Sequence, residues 1–439
     1  MRKAQSSKKF IPNFPHAHYH SYAIENREMV DINPALKLRA EDVLEACQMI
    51  GAKSVMDVGS NLGGFLYYLE QFGGFSQLLG IEGDKRFTEE CEKVSEKLNS
   101  NVEFINKPVM GVNALEQPYD TLLLQNVYHY IYDKEGSHQK IFEKFSGLAR
   151  SIIWYNPMTA DDPVIGAHAN SNKDTNWGQY NHKDIFMGAI KAGFLHPIRD
   201  RKSRFGGMGS IREHWFFIRD NVIPIQKKFL SISDVSGDFV NVADHYSTIH
   251  YVKMNDKRSF KIFHGAHTGL AEIVVRLVDM GVIDATLCPD LQFILNESGE
   301  VVGYSQPRGL EISHVSVDNG AGDLIDKINL QRWKIFSRML RHNVFSHDLG
   351  DHNFVLLADN SIPAMIDLEN FVFDASKSKA LSVYRKNPDK NEYLSAEANL
   401  KLFFGDVHVD LEGFNSISVM QVLLHESKFL NGIRLNGIL

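Results

Sequence analysis

Between residues 54 and 155 the chain alternates short apolar runs with stretches of helical period, and few architectures accept that rhythm. The apolar runs are Ser54–Val58, Gln77–Glu82, Val102–Ile105, Thr121–Asn126 and Ser151–Tyr155. Helical patterns start at Phe65 and cross residues 86–98 and 137–149. Strand and helix in strict alternation predict βαβ units, hence a mostly parallel sheet covered on both faces. Upstream, apolar residues recur at helical spacing from Pro34 to Ile50, where Gly51 closes the helix. Downstream, a helix near residues 183–193 is followed by the basic, Gly-rich stretch Arg199–Gly209 and a strand over Arg212–Arg219, the pattern of an antiparallel hairpin that finishes such a sheet.

The pattern changes after Asn221–Ile225, where Pro224 marks a linker. From Phe229 to Phe263 short β-like runs are broken at Gly237, Asp244 and Asn255-Asp256. A helix over Leu270–Met280, a strand around Val301–Tyr304 and a helix around Ile325–Leu340 follow, so a small β-rich lobe precedes a helical one. A chain of 439 residues is well past the size at which single cores stop growing. The expected division is an arm over 1–35, an α/β domain over 36–222 and a second, small α+β domain over 226–439. Residues 10–35, rich in aromatics, His and Pro without a clean period, read as an irregular arm. It serves either as a strap on the first domain or as a lid over its site.

Composition removes several classes of function. At 44% hydrophobic and 23% charged the chain is an ordinary globular one, and a net charge of −7 with scattered basic residues lacks the footprint of a nucleic-acid binder. Cys47, Cys91 and Cys288 are odd in number and far apart, which fits reduced thiols in the cytoplasm and no zinc site. The start Met1-Arg2-Lys3 runs into polar residues without an apolar core of a signal peptide, and no stretch approaches membrane-spanning length.

Two segments carry chemistry. The first is Met56-Asp57-Val58-Gly59-Ser60-Asn61-Leu62-Gly63-Gly64, an acidic strand end running into a Gly-rich turn, with Glu82 closing the next strand. Such a turn lets the backbone approach a cofactor, and the second carboxylate binds ribose hydroxyls. Both S-adenosylmethionine and a nicotinamide dinucleotide meet that description. The fourth strand, Tyr119-Asp120-Thr121-Leu122-Leu123-Leu124-Gln125-Asn126-Val127-Tyr128-His129-Tyr130-Ile131, resembles the corresponding segment of class I methyltransferases, whose aromatic and His tail lines the methyl-donor pocket. On that resemblance Asp57, Gly59, Asn61, Gly63, Glu82 and Gln125 hold S-adenosylmethionine. His129 is the candidate to touch donor or acceptor, with a packed histidine as the alternative.

The second segment is His347-Asp348-Leu349-Gly350-Asp351-His352-Asn353-Phe354, followed by Ile366-Asp367-Leu368-Glu369. Asp348 and Asn353 stand at the spacing that points one at an acceptor hydroxyl and the other at Mg2+, and Asp367 falls where the second metal carboxylate belongs. Lys261, flanked by apolar residues in Ser259–Phe263, is the candidate for the ATP phosphates, with Glu272 on the following helix to pair with it. Ser346 stands where many kinases carry His, and Asp367-Leu368-Glu369 replaces Asp-Phe-Gly.

Together the two segments resemble the bifunctional kinase–methyltransferases that terminate O-antigen polysaccharide chains in bacteria, over roughly residues 40–380. The resemblance implies a kinase that phosphorylates a terminal sugar and a methyltransferase that caps the phosphate as a methyl ester. Its cofactors would be S-adenosylmethionine, ATP and Mg2+, and its partner a glycan or lipid-linked polysaccharide acceptor. Arg201, Lys202, Arg204 and Arg212 would clamp the phosphate, unless they form a solvated basic face. The family carries a long helical C-terminal extension for assembly and membrane docking, whereas this sequence stops at Leu439. Membrane association is therefore expected only through partners, and a homo-oligomer stays open. Two other readings remain: a methyltransferase with a catalytically dead scaffold domain, and a dual modifier of a small sugar-containing metabolite.

Overall fold

The computed structural model describes residues 9–13, 21–155, 182–195, 198–204, 211–235, 240–243, 250–255, 257–311, 344–346, 353–357, 363–369 and 371–373, with parts of a helix between 331 and 342. These residues fall into two compact units that adjoin in sequence between Arg219 and Asp220.

The first unit is built on a seven-stranded sheet. In chain order its strands are β3 (Ser54–Val58), β4 (Gln77–Glu82), β5 (Glu103–Asn106), β6 (Tyr119–Gln125), β7 (Ala149–Tyr155), β8 (Ile198–Arg204) and β9 (Ile211–Ile218). They lie in the order β5-β4-β3-β6-β7-β9-β8. The first five are mutually parallel, while β9 runs antiparallel to both β7 and β8. This is a Rossmann-like sheet ending in an antiparallel hairpin, the arrangement expected above from the alternation of strand and helix. Parallel strands covered on both faces bury side chains of both faces, and all five residues of β3 are buried, the polar Ser54 and Asp57 among them. The crossovers are α2 (Gly64–Gly73), α3 (Lys85–Leu98), α4 (Tyr128–Glu135), α5 (His138–Ser146) and α6 (His182–Lys191), with α1 (Pro34–Met49) ahead of the sheet. Side-chain oxygens cap three of these helices at their N-termini: Asn33 on α1, Asp84 on α3 and Ser137 on α5. Beneath β7 and β9 the rings of Phe142, Trp154 and Phe217 pack at centroid separations of 5.0–5.9 Å.

Two expectations change here. The arm is not irregular throughout: β1 (Ala23–Glu25) and β2 (Glu28–Val30) form a hairpin. Its two-residue turn, Asn26-Arg27, has φ of 53° and 68°, the left-handed geometry that matches strand twist. In the arm's described part Tyr22 is buried and its hydroxyl donates to the Leu62 carbonyl at 2.7 Å. In addition, the segment after Gln125 leaves the sheet. Asn126 takes φ 58° and α4 begins at Tyr128, so His129 sits in a helix rather than on a strand tail.

The second unit carries a six-stranded sheet of β10 (Lys228–Ser231), β11 (Val240–Ala243), β12 (His250–Met254), β13 (Arg258–Phe263), β14 (Gln292–Leu295) and β15 (Val301–Pro307). The order is β10-β14-β15-β13-β12-β11, antiparallel except where β10 pairs with β14. Helix α7 (Gly269–Asp279) links β13 to β14 and turns Ala271, Val274 and Leu277 inward. Short strands follow: β16 (Leu310–Glu311), β17 (Val344–Ser346), β18 (Phe354–Leu356), β19 (Pro363–Met365) and β20 (Phe371–Phe373). One core joins the sheet to these strands, through Phe263, Leu277, Phe293, Tyr304, Phe354, Met365 and Phe371. The presumed linker is fastened to this unit: the Ile223 N–H donates to Asp284 at 3.0 Å. The buried Arg338 guanidinium donates to Asp220 at 2.9 Å and to Asp284 at 3.0 Å. No helix among the described residues is long and apolar enough to cross a membrane.

Candidate functional sites

In the first unit, β3, β4 and β6 bring Asp57, Glu82 and Gln125 to neighbouring strand ends. Strands β3 and β6 are in register at Val58 and Leu124, so the chain reverses direction of growth between them. In open α/β sheets ligands bind outside the carboxyl ends of strands at such a switch point. Asp57 is buried, and neither of its carboxylate oxygens has a hydrogen-bond partner among the described residues. Burial, reinforced by the nearby Glu82 and only partly offset by Arg39, pushes its carboxyl well above the usual range. Both ends of the Gln125 amide are likewise buried and unpartnered among the described residues. Buried polar atoms normally find partners, and a ligand at this pair would supply what the described residues do not. A cationic ligand would also relieve the carboxylate, and S-adenosylmethionine carries a sulfonium and an ammonium.

The loop between β3 and α2 is tightly specified. Gly59 and Gly63 take φ of 72° and 68°, and a Cβ on Gly59 would lie 2.4 Å from Val127 Cγ1. Glycine is thus required there by backbone conformation and by packing against the β6–α4 loop. Asn61 also adopts a left-handed φ, 51°, and its side-chain oxygen accepts the Leu62 N–H at 2.8 Å. The Glu82 carboxylate clamps the loop, accepting the Asn61 N–H at 2.8 Å through Oε2 and the Asp84 N–H at 2.9 Å through Oε1. Each oxygen keeps a lone pair for one further donor. Glu82→Ala should therefore weaken S-adenosylmethionine binding by about 2 kcal/mol or more, losing both the hydroxyl acceptor and the clamp. Calorimetry would check this, and unchanged affinity would remove Glu82 from the site. His129 is buried in the first turn of α4, with its ring 4.0 Å from that of Tyr130.

In the second unit a cleft of about 370 Å³ opens between the sheet and the segment after it. Its walls include Lys261 on β13, Gln306 and Gly309 at and after the end of β15, Val355 on β18, and Ile366-Asp367. Lys261 is buried and its Nζ donates to Asp367 Oδ1 at 2.8 Å. Burial alone would lower the lysine pKa, but the Glu369 and Asp367 carboxylates more than offset it and hold the ammonium charged. Asn353 is fully buried, and its backbone carbonyl accepts the Ile366 N–H at 2.8 Å, which ties it to the segment bearing Asp367. An amide and a carboxylate are hard oxygen donors that suit Mg2+, which takes one or two protein ligands and fills the rest with phosphate and water. Asp348 lies outside the described residues, as do His347 and residues 349–352.

Glu272 does not pair with Lys261. It is exposed in the first turn of α7, whose inward face is apolar, and Lys261 instead meets Glu369. Sequence reasoning missed Glu369, Tyr304 and the Gln306–Gly309 wall. The available signal for the first was an acidic residue two positions after Asp367, read there only as a departure from a motif. Arg201, Lys202, Arg204 and Arg212 fall on the β8–β9 hairpin, where Ser203 pairs with Arg212.

No family model matches the chain, and no curated protein matches it. Among solved structures, the chain is similar to that of the bifunctional kinase-methyltransferase WbdD, at 12% identity over 92% of each chain with a TM-score of 0.35. A co-crystal structure of WbdD with the kinase inhibitor LY294002 is matched at 13% identity, over 89% of this chain and 87% of that one, with a TM-score of 0.35. Magnesium protoporphyrin IX methyltransferase from Synechocystis PCC 6803 with bound SAM is matched at 14% identity, over 42% of this chain and 78% of that one, with a TM-score of 0.31.

Proposed function

We propose that this chain is a cytoplasmic two-domain transferase. A methyl-transfer domain over 36–222 binds S-adenosylmethionine, a phosphotransfer domain over 226–439 uses ATP with Mg2+, and residues 1–35 form the arm of the first. The observation that carries the reading is the convergence of Lys261 and Asp367, 106 residues apart in sequence, on one cleft with Asn353 tied beside them. Phosphoryl transfer asks little covalent chemistry of a protein and mostly asks for cations fixed around the phosphates. Lys261 grips the phosphates, Asn353 and Asp367 hold the metal, and Asp348 orients the acceptor hydroxyl. Bound magnesium neutralises charge on the transferred group.

In the first domain Glu82 holds the ribose, while Asp57 and Gln125 face the methionine end of the methyl donor. The proposed acceptor is a terminal sugar of a bacterial surface polysaccharide, phosphorylated first and then methylated on the phosphate. A phosphate oxygen is already anionic, so orientation and charge placement suffice for the second step. Mass spectrometry of a glycan panel incubated with ATP, Mg2+ and S-adenosylmethionine tests this. The expected product carries a phosphate and a methyl group on one terminal sugar. Labelling of free small sugars alone would move the substrate to a metabolite, and methylation without magnesium-dependent ATP turnover would make the second domain a scaffold.

A further inference from the structure

Lys261 is held by two carboxylates, and they are not equivalent. Asp367 has a side chain 41% exposed and bonds the ammonium through Oδ1 alone among the described residues. Glu369 has a side chain 8% exposed, and both of its oxygens are engaged: Oε1 by Lys261, and Oε2 by the Tyr304 hydroxyl, which donates at 2.8 Å. The same hydroxyl accepts the Leu368 N–H at 3.2 Å, so the backbone between the two acids is fixed by the ring that orients one of them. Asp367 adopts φ 57°, and the turn over Leu368-Glu369 brings both carboxylates onto one ammonium.

We propose, building on the nucleotide reading above, that Glu369 is the positioning residue that holds Lys261 for the ATP phosphates, a task that no carboxylate of α7 performs. The division of labour follows from the two environments. A metal ion competes with Lys261 for Asp367, the more exposed acid. When Asp367 turns to magnesium, Lys261 keeps a buried partner and stays aimed into the cleft. With Asp367 alone, metal binding would release the lysine that the phosphates need. Before any ligand arrives, one ammonium faces two carboxylates, and the surplus negative charge favours a divalent cation. Breaking a buried ion pair is costly, so the arrangement persists without help from α7. Nucleotide grip in this domain is then indifferent to the position of that helix.

Isosteric substitutions in the full chain test this. Glu369→Gln should raise the Michaelis constant for MgATP roughly tenfold or more, the loss of one charge-assisted bond, with a smaller change in kcat. Glu369→Asp should recover part of that, and Glu272→Gln should leave both constants within about twofold, the range of surface substitutions. Thermal unfolding would confirm that each variant is folded. A Glu369→Gln enzyme with unchanged constants, or a Glu272→Gln enzyme as impaired as Lys261→Met, would overturn the assignment. A second readout needs no nucleotide: the acylation rate of Lys261, mapped by mass spectrometry, should rise in Glu369→Gln because the amine loses its buried partner. Wild-type protein that fails to bind MgATP would end the nucleotide reading, whereas unchanged acylation in Glu369→Gln would end the positioning role on its own.

Discussion

Asp367→Asn should reduce phosphoryl transfer by about a thousandfold or more while leaving S-adenosylmethionine affinity at the wild-type value. The substitution keeps the shape of the side chain and removes the charge that Mg2+ requires. Lys261 retains Glu369, so the cleft should keep its form and the thermal transition should move little. Radiolabelled ATP turnover measures the first quantity and calorimetry the second. A variant that still transfers phosphate at a tenth of the wild-type rate would show that another group holds the metal.

Asp348→Ala should abolish two reactions through one residue. Phosphorylation of the glycan stops because the acceptor hydroxyl is no longer oriented, and methylation stops because its substrate is no longer made. A sugar hydroxyl has a pKa far above neutrality, so direct methylation needs a strong base, whereas a phosphate oxygen needs none. Chemically phosphorylated glycan should therefore restore methyl transfer to the mutant. Methylation of unphosphorylated glycan by Asp348→Ala at the wild-type rate would mean that the two domains serve separate acceptors.

Much of the first unit was legible because a parallel sheet buried on both faces leaves its mark in every strand residue. Ser54–Val58 and Gln77–Glu82 are strands over the residues expected. Helix α4 was not legible: Tyr128-His129-Tyr130-Ile131-Tyr132 is rich in β-formers and prolongs the apolar run of β6, and only the left-handed Asn126 breaks it. The β1–β2 hairpin escaped because its turn is Asn26-Arg27, without the glycine that usually announces such a turn. In the second unit, residue types at loop spacing pointed to Asn353 and Asp367, since one short segment carries both. The partner of Lys261 was another matter. Whether a lysine on β13 meets a carboxylate eleven residues later or one beyond β19 depends on which face of α7 turns inward, and that face carries Ala271, Val274 and Leu277 while Glu272 is exposed. Strand β14 was missed for a related reason, because Gln292–Leu295 is too short to show a period.

Asn353 and Asp367 flank the same open end of the β18–β19 ladder, which pairs Phe354 with Met365, Val355 with Ala364 and Leu356 with Pro363. This divides the segment by its tolerance to inserted residues. Extra residues between Leu356 and Pro363 leave these pairs as they are, since the ladder is fixed by the strands on either side, and the entropy of closing a connection grows slowly with its length. One residue added within β19 turns every later side chain to the opposite face, and Asp367 away from Lys261, while one added within β18 shifts Asn353 against the ladder instead. A scan of single-residue insertions across 354–366 should therefore show a permissive centre bounded on each side by positions where phosphate transfer vanishes.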